Sequence, residues 1–174
     1  MKKVKDVIII FLIFILIYFL QINIFNTFTI FNVKPNLFII LIFSIGIKYN
    51  RLFSSIMGLI IGFCLDILIS SKVGINMFLF GGLGFITSYL SELLFSENKL
   101  TNILIIFFST IIIEVIKYLL NIVFLNINIE IDSFVFITLI EAIYNVLLFI
   151  IIYPLWKILL GKNKVNDNKL IRYL

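Results

Sequence analysis

Behind a short basic head (Lys2, Lys3, Lys5), the chain runs from Val7 to Ile24 without a charged residue. An apolar helix of about 18 residues is the length that crosses the hydrocarbon core of a bilayer. Further apolar runs follow, broken only by short polar segments. Of the 174 residues, 63% are hydrophobic and 13% charged, and the mean hydropathy is +1.23. A water-soluble domain of this length would expose much of that surface to water. The chain is therefore read as an all-α integral membrane protein. The first run is too long for a signal-peptide core, and no small-residue cleavage site follows it, so it is expected to stay as helix 1.

Composition also excludes chemistry. There is no histidine and one cysteine, Cys64, which rules out a histidine-based catalytic site, a metal cluster and an internal disulfide. No cofactor is expected. Cys64 reads as a small apolar filler. The net charge of +5 does not point to nucleic acid, because the basic residues gather at the ends of apolar runs.

Six helices are expected. Gln21 to Lys34 reads as an Asn- and Thr-rich loop at the membrane interface. Pro35 opens helix 2, Asn36 to Ile47, where its missing N–H has no cost. That helix is short for a full span. Helix 3 covers Leu52 to Ile69, helix 4 Ile75 to Phe95, helix 5 Leu100 to Leu125 and helix 6 Phe134 to Leu160. A polar hinge, Ser70 to Gly74, joins helices 3 and 4. Residues 1–160 form the transmembrane domain and 161–174 a charged tail. With the N-terminus inside, the cytoplasmic segments hold Lys2, Lys3, Lys5, Lys48, Arg51, Lys99, Lys157, Lys162, Lys164, Lys169 and Arg172, while the outer loops hold only Lys34 and Lys72. This bias puts both termini in the cytoplasm. A five-helix alternative with a re-entrant helix 2 would place the basic tail outside and spoil it.

Small and polar residues fall in stripes, which in lipid face protein. Helix 3 carries Ser55, Gly58, Gly62 and Asp66 at helical spacing. Helix 4 carries Gly81, Gly84, Ser88 and Glu92. Helix 5 carries Thr110, Glu114, Lys117 and Asn121, and helix 6 carries Thr138, Glu141 and Asn145. Gly58 and Gly62 permit close backbone approach. Depth along the helices predicts that Lys117 pairs with Glu141, with Glu114 one turn below. Asp66 lies near the outer edge, beside the hinge, and is expected to hold the helix 3–4 turn or a partner there. The Gly81-Gly82-x-Gly84 cluster lacks the strand and Lys-Ser/Thr context of a phosphate loop.

The order of these features resembles the MreD family of bacterial rod shape-determining membrane proteins. The resemblance rests on Pro35 before a short helix, the cationic turn after it, and Gly58-Leu59-Ile60-Ile61-Gly62-Phe63-Cys64-Leu65-Asp66. A hinge ending in Gly74, then Tyr144-Asn145, and Pro154-Leu155 complete it. Lys72-Val73 stands where small residues or Pro-Leu are more usual. The resemblance implies a non-enzymatic component of the cell-elongation machinery in the cytoplasmic membrane. It implies MreC, a single-span protein, as the partner, in an assembly with MreB, the RodA glycosyltransferase and its penicillin-binding transpeptidase. It also implies a fold similar to the six-helix substrate-binding subunits of energy-coupling-factor vitamin transporters.

Two functions follow. One is a membrane scaffold for lateral peptidoglycan synthesis, with Pro35, Gly58, Gly62, Asp66, Gly74, Gly81, Gly84, Tyr144, Asn145 and Pro154 in helix packing or partner docking, and Glu114, Lys117 and Glu141 as an intramembrane charge cluster. The other is a small-molecule transport subunit with a pocket drawing on Asn76, Glu141 and Tyr144. An intramembrane enzyme lacks its residues: there is no histidine, and no serine–lysine or paired-aspartate arrangement in matched helices.

Overall fold

The computed structural model describes residues 2–68, 74–93, 99–125 and 130–160, without the side chains of 2–4, 124, 125 and 155–160. Ser70 to Val73 of the hinge, the polar turn from Ser96 to Asn98, residues 126–129 of the acidic loop and the tail Gly161 to Leu174 lie outside the described residues.

The described residues form six α-helices: α1 (Lys2–Phe19), α2 (Leu37–Lys48), α3 (Arg51–Leu68), α4 (Ile75–Leu93), α5 (Lys99–Leu125) and α6 (Ile131–Leu160). A π-helical turn, Leu20–Ile24, extends α1. The stretches Lys5–Ile24, Arg51–Leu68, Lys99–Val123 and Ile131–Pro154 are long and apolar enough to cross a membrane. In α4, Asn76, Gly81, Gly82, Gly84 and a polar last turn dilute an otherwise apolar helix of similar length. Pro35 precedes α2 by two residues instead of opening it. Asn36 takes the cap position, its carbonyl accepting the Ile39 N–H at 3.2 Å.

The chain divides into two compact units, Met1–Ile40 with Ile106–Ile152, and Leu41–Ile105 with Tyr153–Leu174. Within the second, α3 and α4 pack backbone to backbone. A Cβ on Gly58 would lie 2.2 Å from the Phe80 carbonyl oxygen, one on Gly62 2.4 Å from that of Asn76, and one on Gly84 2.3 Å from that of Ser54. Gly46, in α2, also lies close against α4: its Cβ would strike the Thr87 side chain at Oγ1. Gly81 faces only the flexible Leu59 side chain, and Gly82 has open space.

The buried face of α3 is Ser54, Met57, Gly58, Ile61, Gly62, Leu65 and Asp66, while Leu52, Ile56, Ile60, Phe63 and Ile67 are exposed. Small and polar groups turn inward and large apolar groups outward, the reverse of a helix in water. Ser54, not the expected Ser55, lies in the packed stripe; its hydroxyl donates to the Ile45 carbonyl at 3.3 Å. In α1, Ile8, Phe11, Leu12, Ile15, Leu16 and Phe19 form a broad exposed apolar face. By contrast, α2 is buried on every face from Leu37 to Ile47, as its apolar circumference requires.

Placing a side chain at Gly58 must therefore part α3 from α4. Gly58→Leu is expected to lower stability by about 2 kcal/mol or more, the usual cost of overpacking, whereas Gly82→Leu leaves it unchanged. Thermal unfolding of the two variants in detergent checks this; equal melting temperatures would contradict the packing.

Candidate functional site

Two groups of polar side chains sit among these apolar helices, one in each unit. The first is built on Asp66, two residues before the end of α3 and fully buried. Its Oδ2 accepts the backbone N–H groups of Gly74 at 2.8 Å and Met77 at 3.1 Å. Its Oδ1 accepts the Asn76 backbone N–H at 3.1 Å and the Asn76 side-chain amide at 2.9 Å. The first turn of any helix leaves N–H groups without partners. Here α3 supplies the cap for α4, and a carboxylate at a helix N-terminus is the favoured charge there. Gly74 makes the geometry possible with φ +110°, a conformation that glycine adopts at no steric cost.

The opposite end of the α3–α4 pair is also fastened. Asn50 Oδ1 accepts the Phe53 N–H at 3.1 Å, capping α3. Arg51 donates from Nε to Glu92 Oε2 at 2.9 Å and forms an ion pair with the same oxygen through Nη2. Its guanidinium lies 4.6 Å from the centre of the Tyr89 ring. The Ser88 hydroxyl donates to the Tyr49 carbonyl at 2.7 Å. Gly58, Gly62 and Asp66 thus lie against α4 in the packed pair.

The second group lies in the first unit. Asn145, fully buried in α6, accepts the Asn36 N–H at 2.7 Å and donates to Thr110 Oγ1 in α5 at 3.2 Å. Thr110 in turn donates to its own helix, at the Ile106 carbonyl. Gln21 completes the cap of α2: its Oε1 accepts the Leu37 N–H at 3.1 Å and its Nε2 donates to the Pro35 carbonyl at 2.7 Å. Tyr144 donates its hydroxyl to the Phe28 carbonyl at 3.2 Å.

The expected Lys117–Glu141 pair is not formed. Lys117 Nζ bonds Glu114 Oε1 of its own helix at 2.7 Å. Side chains three residues apart on a helix are neighbours, so this pair needs no particular distance between helices. Glu141 lies within electrostatic range of both charges. Pro154 sits inside α6 and is exposed.

Sequence reasoning missed Gln21, Gly46 and the Arg51–Glu92 pair. A glutamine closing an apolar run and a glycine interrupting one were the available signals. Among the described residues no group of three or more His, Cys, Asp or Glu could hold a metal ion.

Removing the Asp66 carboxylate orphans three backbone N–H groups. Asp66→Ala is expected to cost roughly 3 kcal/mol or more, since each buried unsatisfied donor costs about 1–3 kcal/mol. Asp66→Asn, which keeps one acceptor oxygen, costs less. Unfolding of both variants in detergent reads the order; an alanine variant as stable as the parent would contradict the cap.

In comparison with known proteins, residues 1–163 fit the family of the rod shape-determining protein MreD. No curated protein and no solved structure matches the chain. The match covers most of the chain's length, and the apolar helices suit a multi-pass membrane protein, so the chain belongs to the MreD family of rod shape-determining membrane proteins.

Proposed function

We propose that this protein is a non-enzymatic scaffold of the cell-elongation machinery, which binds MreC in the cytoplasmic membrane and belongs to the assembly of MreB, RodA and its penicillin-binding transpeptidase. One observation carries the reading: polar side chains among the helices, with Asp66 and Asn145 fully buried, are engaged in joining helix to helix. Asp66 fastens α4 to α3, Asn145 fastens α2 and α5 to α6, and Arg51 fastens the start of α3 to Glu92. Each unit is thereby braced from within, which suits a platform for partners. A pocket drawing on Asn76, Glu141 and Tyr144 has less support, because the Asn76 amide is bound to Asp66 and the Tyr144 hydroxyl to Phe28.

The chain crosses the membrane six times, with both termini cytoplasmic and a fold like that of the energy-coupling-factor substrate-binding subunits. The distribution of Lys and Arg supports this orientation. The Phe31–Phe136 ring contact, at 6.2 Å, supports it too, since it brings the loop after the first crossing beside the start of the last helix.

Affinity purification of the chain from detergent-solubilised membranes is expected to retain MreC. Alkaline phosphatase fused at the C-terminus is expected to be inactive, and fused in the loop before α6 to be active. Absence of MreC from the purified material would sink the scaffold reading, and an active C-terminal fusion would sink the topology.

A further inference from the structure

Two helices place the start of α2 at the same depth. On α6, Asn145 stands about 18 Å from Lys157 and about 21 Å from Ile131, and it accepts the Asn36 N–H. Helix α2 has 12 residues, so it is about 18 Å long and ends at Lys48. Cations at the ends of apolar helices sit at the edge of the hydrocarbon. With Lys48 and Lys157 at the cytoplasmic edge of a core about 30 Å thick, the start of α2 lies roughly 12 Å below the outer edge.

The chain reaches that level without a helix. Phe31 meets Phe136, ring centroids 6.2 Å apart, and Phe136 is about 13 Å nearer the start of α6 than Asn145. From there the segment descends to Asn36. Non-helical backbone inside hydrocarbon is tolerated only where protein covers it or water reaches it. Along this descent Lys34 is exposed. Its N–H donates no hydrogen bond among the described residues, and its ammonium bonds Asn26, which is exposed as well. Two acceptors near the foot of the descent lack a protein donor. Asn36 Oδ1 is buried and accepts no hydrogen bond among the described residues. Glu141 lies one turn nearer the outer edge than Asn145, on the same face of α6, and is half-buried. Its carboxyl accepts no hydrogen bond among the described residues, and Lys117, which faces it from α5 together with Glu114, is bonded to Glu114. A carboxyl inside a membrane faces the protein interior or a water-filled cavity, and an acceptor shut away from both protein donors and water is costly.

We propose that a water-filled recess opens on the outer face of the first compact unit, alongside the segment before α2, and brings Glu141 and Asn36 into contact with the extracytoplasmic solution. Lys34, Asn36, Glu141 and Asn145 all belong to that unit. One cause then accounts for three observations: an uncovered backbone N–H, an orphan amide oxygen and a carboxyl without a donor. The recess exposes a carboxyl deep in the membrane to solutes carried by water from the outer side. The inference rests on the membrane topology proposed above and adds a solvent path to it.

Labelling by a membrane-impermeant, charged thiol reagent tests it, in the full chain in native membranes with Cys64→Ala as the background. Glu141→Cys removes a side chain that has no hydrogen bond to lose. Ile143→Cys is the control, two residues along α6 at nearly the same depth and 53% exposed among apolar neighbours. Reagent added from the outer side is expected to label Glu141→Cys at least roughly ten-fold faster than Ile143→Cys, because a charged reagent does not enter hydrocarbon. Lys34→Cys, an exposed position on the same descent, is expected to label as Glu141→Cys does and gives the reading if the Glu141 variant fails to accumulate. If neither cysteine labels faster than Ile143→Cys while the C-terminal phosphatase fusion stays inactive, the recess is wrong and the topology stands. Labelling only from the cytoplasmic side, with an active C-terminal fusion, overturns the outer opening and the topology together.

Discussion

In hydrocarbon every backbone donor and acceptor must find its partner inside the protein, and the architecture of this chain depends on that rule. Within the helices the backbone satisfies itself. The difficulty lies where helices start, because the first turn of each carries unpaired N–H groups. At the start of α4 the answer is Asp66, reaching over from α3 to accept from Gly74, Asn76 and Met77. At the start of α2 it is Asn145 and Gln21, which accept from Asn36 and Leu37. These caps come from other elements, so closing a helix end also fixes two elements against each other.

Packing follows the same solvent logic. Lipid gives no hydrophobic drive for one helix to join another, so close contact and hydrogen bonds must do so. Glycines at positions 58, 62 and 84 bring the α3 and α4 backbones together, and the large apolar side chains of α3 face outward. Two ion pairs lie in the helices: Lys117 with Glu114 one turn away on α5, and Arg51 of α3 with Glu92 of α4. In a rod shape-determining membrane protein made this way, each unit is held together by polar groups turned toward its own helices.

Much of this was legible in the sequence, for reasons that differ by residue. Helix positions followed from uninterrupted apolar runs, and the Gly58–Gly62 stripe from four-residue spacing. Asp66 stood out because a carboxylate beside a hinge in lipid needs donors. The partner of Lys117 was misjudged because depth along two helices carries no information on which way a long side chain turns, and the neighbour on its own helix was nearer. Ser54 and Ser55 differ by one position, about 100° around the helix, and spacing alone did not separate them. Gln21 and Gly46 were passed over because each is a lone residue without a repeat. The turn at Phe31 and Asn32, both at positive φ and with no hydrogen bond from either N–H among the described residues, was hidden for another reason: asparagine favours that backbone, but phenylalanine before it does not announce a turn as Asn-Gly would.

Carboxylate and amide side chains from other elements close the starts of α2 and α4. Amide hydrogen exchange of the protein in lipid nanodiscs, resolved by residue, reads this directly. The N–H groups of Asn36, Leu37, Gly74, Asn76 and Met77 are predicted to exchange as slowly as those in the middle of α3. Exchange of these amides at the rate of the open Asn32 N–H would contradict it.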